Sequence, residues 1–289
     1  MDGERAAERR GPYREGEAVV LVDGAGRRYL VRLRADGQFR THLGVIPHRE
    51  IIGRPEGSRL LTHTCNEFLS LRPTLEDYVL KMPRRTQVVY PKDLGMILVL
   101  ADVKAGDTVV EAGIGSGALS TALLRAVGPG GRLISYEARE EFIQGALANI
   151  RALVPDWGNH TVHHADVYQG IRERDVDAVV LDLPEPWRAV PAAAEALRPG
   201  GVFLAYLPTV LQVHELAKAL AAEPRFALAS TREVLERPWS VGTLSVRPAH
   251  RMVAHTAFLI TARRAEPSQR PPEEAASAPP ESDAEEPEA

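Results

Sequence analysis

Four acidic residues close four apolar, β-branched runs in the middle of the chain: Glu111 in TVVEAG, Glu137 in RLISYEA, Asp166 in HTVHHADV and Asp182 in DAVVLDL. The first leads straight into glycines, EAGIGSGALS, with Gly113, Gly115 and Gly117 separated by single residues. Such glycines let the backbone turn tightly and lie close to a ligand, and a helix starting just after them offers free N–H groups there. Carboxylates at strand ends are the groups that pair ribose hydroxyls. The pattern therefore predicts a nucleoside-bearing ligand laid across one rim, with the glycine turn at its middle, Glu137 at a ribose and Asp166 near a base. Asp182 opens a second chemical stretch, LDLPEPW (Leu181 to Trp187), in which an acid, Leu-Pro, a carboxylate and Pro-Trp form a stiff turn with an aromatic shoulder.

The elements that must position these residues follow from periodicity. From Leu94 onward apolar strands alternate with helical patterns: a helix in DLGMILVLADV, then TVVEAG, the helix SGALSTALLRAVG, RLISYEA, the helix EEFIQGALANIRALV, HTVHHADV, DAVVLDL, the helix AVPAAAEAL and GVFLAYL. Such alternation argues for a mostly parallel sheet with helices on both faces, and ligands of such sheets bind outside the carboxyl ends of the strands. The first 65 residues read differently. EAVVLVD, RRYLVRL and QFRTHLGVI, separated by Asp23-Gly24 and Asp36-Gly37, predict a small all-β domain. Residues 66–93, punctuated by Pro73, Pro83 and Pro91, read as a connector, and residues 94–264 as the α/β domain.

Composition excludes several classes. With 44% hydrophobic and 26% charged residues, the 289-residue chain is globular. It has no long apolar run and a charged start, MDGERAAERRGPYREGE, which supports neither a membrane span nor a secretory signal and implies the cytoplasm. One cysteine, Cys65, allows no internal disulfide and no cysteine-based metal site, and reads as a small core residue. Residues 265–289 hold eight acids and one arginine among Pro, Ala and Ser, and read as a disordered acidic tail. The remainder, net +3, is compatible with nucleic acid as a partner without requiring it.

The glycine motif alone leaves a dinucleotide as an alternative ligand. Two features weigh against it: Glu111 directly precedes GIGSGA, which is no GxGxxG opening the chain's first βα unit, and no second catalytic domain follows. The whole set instead resembles class I S-adenosylmethionine-dependent methyltransferases. In particular, RRTQVVYPKD (Arg84 to Asp93), EAGIGSGALS (Glu111 to Ser120), YEAREEF (Tyr136 to Phe142) and LDLPEPW resemble, in order, the motifs of the tRNA (adenine-N1)-methyltransferases that act on position 58. The resemblance runs from the N-terminal β module through HRMVAHTAFLITARR (His250 to Arg264).

The resemblance implies a Rossmann-like α/β methyltransferase domain, S-adenosylmethionine as cofactor, tRNA as substrate, a homotetramer and no metal. It assigns the cofactor to Gln87, Val89, Glu111, Gly113, Gly115, Ser116, Gly117, Ala118, Leu119, Glu137, Asp166, Val167 and Asp182, and makes Asp182 the catalytic residue. Tyr78, Trp187 and Tyr206 are the candidates for an aromatic base pocket, with Pro208, Thr209, Gln212 and Thr256 also on the substrate side. Arg84 and Arg251, together with Lys81, Arg85, Arg247 and His250, are expected at phosphates. The arm with Arg5, Arg9, Arg10 and Arg14 is left open between RNA contact and disorder. Three other readings stay open: an isoaspartyl-type protein methyltransferase, which would lack LDLPEPW; an inactive RNA-binding subunit, which would not need intact motifs; and a nicotinamide-dependent enzyme. Cysteine-dependent pyrimidine methylation is disfavoured, because Cys65 lies outside the α/β domain.

Overall fold

A computed structural model describes residues 11–154 and 157–267. The expectations for Arg5, Arg9, Arg10 and for the tail from residue 268 onward lie outside the described residues. The N-terminal module is built from β1 (Ala18–Asp23), β2 (Arg28–Arg32), β3 (Gln38–Thr41), β4 (Gly44–Pro47), β5 (Arg59–Leu61) and β6 (Glu67–Leu71). Four of these form an antiparallel sheet in the order β2-β1-β6-β5, and β3 pairs only with β4. Tyr13, Val19, Leu21, Leu33, Phe39, Ile46 and Phe68 fill its core, with Tyr29, Phe39 and Phe68 meeting edge to face.

Three readings of this region need correction. QFRTHLGVI is not one strand: the chain reverses at His42-Leu43, and Gly44 adopts a φ of +114° against the side chains of Thr62 and Thr64. The segment from residue 66 does not start as a connector, because β6 lies between β1 and β5 and completes the N-terminal sheet. Cys65 is not a core residue; it is exposed, with a φ of 61°, at the turn between β5 and β6, where its N–H donates to the Thr62 carbonyl. A turn that joins neighbouring strands lies at the surface, which leaves Cys65 outside the core.

The connector proper holds α1 (Leu75–Lys81) and runs into α2 (Pro91–Leu100). Thr74 and Asp77 form a reciprocal capping box at the start of α1, and Asp77 also accepts from Arg28 of β2 at 2.6 Å, which ties the helix to the N-terminal sheet. Beyond α2 follow β7 (Thr108–Ala112), α3 (Ala118–Val127), β8 (Arg132–Glu137), α4 (Glu140–Leu153), β9 (His160–His164), β10 (Val176–Leu181), α5 (Val190–Ala196), β11 (Leu197–Leu207) and α6 (Val210–Ala222). The chain closes with β12 (Phe226–Glu233), a hairpin of β13 (Trp239–Val241) and β14 (Val246–Pro248), and β15 (Phe258–Arg264). No helix among the described residues is long and apolar enough to cross a membrane.

Seven strands form one sheet in the order β12-β15-β11-β10-β7-β8-β9. β11, β10, β7, β8 and β9 are mutually parallel, as the alternation predicts, and β15 inserts antiparallel between β11 and β12. Because successive residues of a strand point to opposite faces, each strand feeds two cores. Val109, Leu133, Ala178, Val180 and Leu204 pack with α2, α3 and α4, whereas Val110, Ile134, Val179, Leu181 and Phe203 pack with α5 and α6. A strand buried on both faces reads as a continuous apolar run, which is why these strands are legible in the sequence.

The strand order reverses at β7. From there the chain runs outward through β8 and β9 and then returns to β10 on the other side of β7. Between the carboxyl ends of β7 and β10 there is room for backbone only. Gly113 has a φ of +90°, and a Cβ built on it would stand 2.2 Å from the Asp182 carbonyl oxygen. Gly130, by contrast, has open space around its Cα. Gly113→Ala is therefore expected to destabilise the protein by about 2 kcal/mol or more. Gly130→Ala should stay within about 0.5 kcal/mol of the parent in the same urea titration. Equal midpoints for the two variants would mean that the two strand ends separate freely.

A candidate active-site cleft at the strand switch

The crevice outside β7 and β10 is a cleft of about 520 Å³, within the range of small-molecule sites. Its floor is the glycine turn, Gly113 to Ser116, with Ala118 and Leu119 at the start of α3. One wall is the connector from Thr86 to Tyr90; the other carries Asp182, Tyr206, Pro208, Val253, His255 and Thr256, and Glu137 and Arg139 close one end. The local fold explains the floor. Gly117 caps α3 in the left-handed region, and a Cβ there would press on the Ala146 carbonyl and Ile150, so only glycine lets α4 pack this closely. Asn149 of α4 then holds floor and wall together, its amide donating to the carbonyls of Ser116 at 3.0 Å and Pro83 at 2.8 Å.

Three carboxyl groups converge on this floor. Glu137, 5% exposed, accepts from the N–H groups of Arg139 at 3.0 Å and Gly115 at 3.3 Å, so its position is set by the turn itself. Asp182 follows β10, its N–H donating to the Ala112 carbonyl at 2.9 Å. Burial pushes its carboxyl up to about 7, and the negative charge of Glu137 adds to the effect. Glu111 lies beneath the floor, fully buried. Its Oε2 accepts from the hydroxyls of Ser120 and Ser135, each at 2.7 Å, whereas Oε1 has no partner. Burial raises the Glu111 carboxyl to about 7; the two serine hydroxyls hold it down, and the charges of Asp182 and Glu137 push it up. Three mutually repelling acids around one cleft, one with an orphaned buried oxygen, fit a cationic ligand that also carries hydroxyl groups.

The cleft brings together Gln87, Val89, Gly113, Gly115, Ser116, Ala118, Leu119, Glu137, Asp182, Tyr206, Pro208 and Thr256 of the expected residues. Others stand elsewhere. Asp166 caps a short 3₁₀ turn at Val167–Gln169, accepting from the Tyr168 N–H, and neither Asp166 nor Val167 lines the cleft. Thr209 caps α6 and donates to Gln212, whose amide donates to the Pro184 carbonyl, so this pair braces the LDLPEPW turn. Trp187 packs against the core on the α5 and α6 side of the sheet. Arg251 is exposed and outside the lining.

Tyr78 is buried beside α4, its hydroxyl donating to the Asn149 carbonyl at 2.9 Å, and it lines a second cleft of about 730 Å³. This second cleft runs between the N-terminal sheet and α4, meets the first at Gly115 and Ser116, and carries Arg32, Lys81, Arg84 and Arg85 against the single acid Glu141.

Two cleft residues carry chemistry that the sequence reading missed. Tyr90 lines the connector wall as the residue before Pro91, and its place in YPKD was the available signal. His255 stands at the cleft mouth with Nδ1 2.6 Å from Glu233 and Nε2 2.9 Å from the Pro208 carbonyl. Both partners accept, so only the imidazolium satisfies both, and the Pro208 carbonyl and then Glu233 raise its pKa. No local pattern announces such a residue. Among the described residues no group of three or more histidine, cysteine or acidic side chains could hold a metal ion.

Comparison with known proteins narrows the meaning of this geometry. Residues 68–257 match the family described as tRNA methyltransferase complex GCD14 subunit, and residues 11–59 match the TrmI-like N-terminal family. The tRNA (adenine(58)-N(1))-methyltransferase TrmI of a Thermus thermophilus strain is 41% identical over 249 residues, covering 85% of this chain and 96% of its own length. The tRNA (adenine(57)-N(1)/adenine(58)-N(1))-methyltransferase TrmI of Methanocaldococcus jannaschii is 34% identical over 84% of this chain and 94% of its own. Among solved structures, the tRNA (m1A58) methyltransferase TrmI of Aquifex aeolicus superposes with a TM-score of 0.77 at 29% identity, covering 88% of this chain and 99% of that one. A SAM-dependent O-methyltransferase of Thermotoga maritima superposes with a TM-score of 0.85 at 37% identity, over 90% and 97%. With its glycine turn, its converging carboxylates and both modules matched in order, the chain belongs to the tRNA methyltransferase GCD14 family, a TrmI-like N-terminal module followed by a class I methyltransferase domain.

Proposed function

We propose that this chain transfers a methyl group from S-adenosylmethionine to N1 of adenosine 58 in tRNA, giving 1-methyladenosine. The observation that carries the reading is the placement of Asp182, which opens onto the same cleft as the glycine turn and stands beside Tyr206. The named relatives, matched over most of their length, act on that position. The donor fits the residues present: the glycine turn and the start of α3 would take its methionine end, Glu137 would pair its ribose hydroxyls, and the carboxylates would answer its positive charge. Bound there, it supplies an electrophilic methyl on a positively charged sulfur.

The chain's own residues then have a defined task. N1 of adenine keeps an in-plane lone pair at neutral pH, so it needs exposure and alignment rather than a strong base. Methylation at N1 would leave a positive charge on the adenine ring. Asp182, oriented by its N–H bond to the end of β7, holds the base edge and stabilises that charge as it develops. A base taken from folded tRNA must be pulled out of its stack, and Tyr206 and Tyr90 are the aromatic groups that the cleft offers it. The neighbouring cleft with Arg32, Lys81, Arg84 and Arg85 gives the flanking phosphates a path to the reaction centre. The tetramer belongs to the same reading: Leu235, Trp239, Val241, Leu244 and Val246 are exposed on and around the β13–β14 hairpin, the kind of surface that copies of a chain bury against each other.

Three outcomes are expected. With labelled S-adenosylmethionine and unmodified tRNA, nucleoside analysis should show 1-methyladenosine, and Asp182→Ala should slow single-turnover methylation by ~10²-fold while binding both partners normally. An O-methylated nucleoside, or an Asp182→Ala rate within a few fold of the parent, would sink the assignment. The second outcome concerns stability. The Asp182 carboxyl titrates near 7 in the folded chain and near 4 when unfolded, so it destabilises the ligand-free protein fully above pH 7 and not at all below about pH 4. Asp182→Asn should accordingly raise Tm at pH 8, with the gain shrinking as pH falls towards 4; a pH-independent difference would contradict the shift. Third, replacing Arg84 and Arg85 by alanine should weaken tRNA binding and flatten its dependence on log salt concentration by roughly one to two units. Affinity for S-adenosylhomocysteine, measured by calorimetry, should stay at the parental value.

A further inference from the structure

The YPKD run contributes more to the cleft than Tyr90. The Lys92 side chain is 5% exposed and Asp93 is fully buried, a setting in which an ion pair survives only if its hydrogen bonds are complete. They are complete. Lys92 Nζ donates to Asp93 Oδ1 at 2.7 Å, to the Val234 carbonyl at 2.8 Å and to Thr256 Oγ1 at 2.6 Å, which uses all three ammonium protons. Thr256 Oγ1 lies 2.6 Å from Asp93 Oδ2. Chemistry fixes every direction here, because an ammonium only donates and a carboxylate paired with it only accepts. Thr256 therefore accepts from Lys92 and donates to Asp93, and its one remaining lone pair is what it offers to the cleft that it lines.

Tyr206, at the end of β11, lines the same cleft as Thr256, and the Thr256 side chain is among the groups that act on its phenol. Burial, and next the negative charge of Asp93 and Asp182, push the phenol's pKa upward and outweigh the hydrogen bonding to Thr256 that lowers it, so Tyr206 keeps its proton. We propose that Lys92 and Asp93 are positioning residues, which fix the Thr256 hydroxyl as an acceptor so that it takes the Tyr206 proton and holds the phenol in one orientation toward the target base. The inference rests on the reading of the cleft as the place where the base reacts. It gives the ion pair a task that packing does not require, since apolar side chains of similar volume would join α2, Val234 and Thr256 equally well. What they would not supply is a hydroxyl with a fixed polarity.

Asp93→Asn tests this directly. The amide keeps the shape of the carboxylate, and with its oxygen on Lys92 its NH₂ faces Thr256 and donates, which turns the threonine proton toward Tyr206. Single-turnover rates at saturating tRNA and S-adenosylmethionine are measured for the parent, Asp93→Asn, Tyr206→Phe and the double variant, with Tm and the Kd for S-adenosylhomocysteine alongside. Each single variant should slow methylation by about tenfold with Kd unchanged, and the double variant should be no slower than the slower single one. Thr256→Val should match Asp93→Asn, and Thr256→Ser, which keeps the hydroxyl, should recover a rate within about twofold of the parent. Multiplied losses in the double variant, or a serine variant as slow as the valine one, overturn the positioning role with an active parent in hand. If Asp93→Asn does not fold, the same cycle built from Thr256→Val and Tyr206→Phe, with Thr256→Ser as the rescue, decides, because both threonine variants keep Lys92 and Asp93 themselves in place. A parent chain that makes no 1-methyladenosine overturns both this inference and the reading beneath it.

Discussion

The end of β7 and the end of β10 come so close that Gly113 has only hydrogen where any other residue has a Cβ, and the Asp182 carbonyl fills the space. That approach fixes where the catalytic aspartate of the proposed reaction must stand. Asp182 leaves β10 with its N–H bonded to the last residue of β7, so its side chain starts from a point set by the sheet ladder and not by a free loop. The glycine turn starts from the same point, and Glu137 holds the Gly115 N–H within it. Floor, wall and acid thus share one rigid origin, which is the condition for aligning two reacting atoms.

The same closeness has an electrostatic cost. Glu111, Glu137 and Asp182 repel one another in a poorly solvated space, and two of the three are pushed up to about 7. Ser120 and Ser135 offset part of this for one oxygen of Glu111 and leave the other unanswered. A site arranged in this way is less stable empty than an apolar core of the same size would be, and it gains most from a cation. Local instability of that kind marks functional sites, where a fold gives up stability for charge in a defined place.

The walls of the cleft solve a different problem. Together the two walls come from three stretches far apart in the chain, the connector before α2, the end of β11 and the residues before β15, and they hold polar groups that must keep their direction. The buried ammonium of Lys92, at the start of α2, ties the first of these to the third through Thr256 and reaches the chain after β12 through the Val234 carbonyl. His255 joins the second and third, bonded as it is between Pro208 and Glu233. An apolar wall would pack as well, but only directional bonds fix which way a hydroxyl points.

Local patterns along the chain settle the sheet's parallel strands, the helices between them and the glycine turn, because each depends on residues adjacent in sequence. Strands buried on both faces are apolar throughout, and a left-handed turn at a strand end demands glycine. The same patterns place acids at the strand ends, and with them Glu137 and Asp182. Which acids open onto the cleft is settled in three dimensions: Glu111 points beneath the floor, and Asp166 turns to cap its own 3₁₀ turn. Likewise, Tyr78 faces Asn149 while Tyr90, twelve residues on, lines the cleft, and Cys65 faces water at a hairpin turn. The insertion of β15 between β11 and β12 is the main tertiary choice, since its pairing with strands remote in sequence carries Thr256 and His255 to the cleft. Side-chain direction at the end of a strand follows from the neighbour it pairs with, and no stretch of local sequence encodes that neighbour.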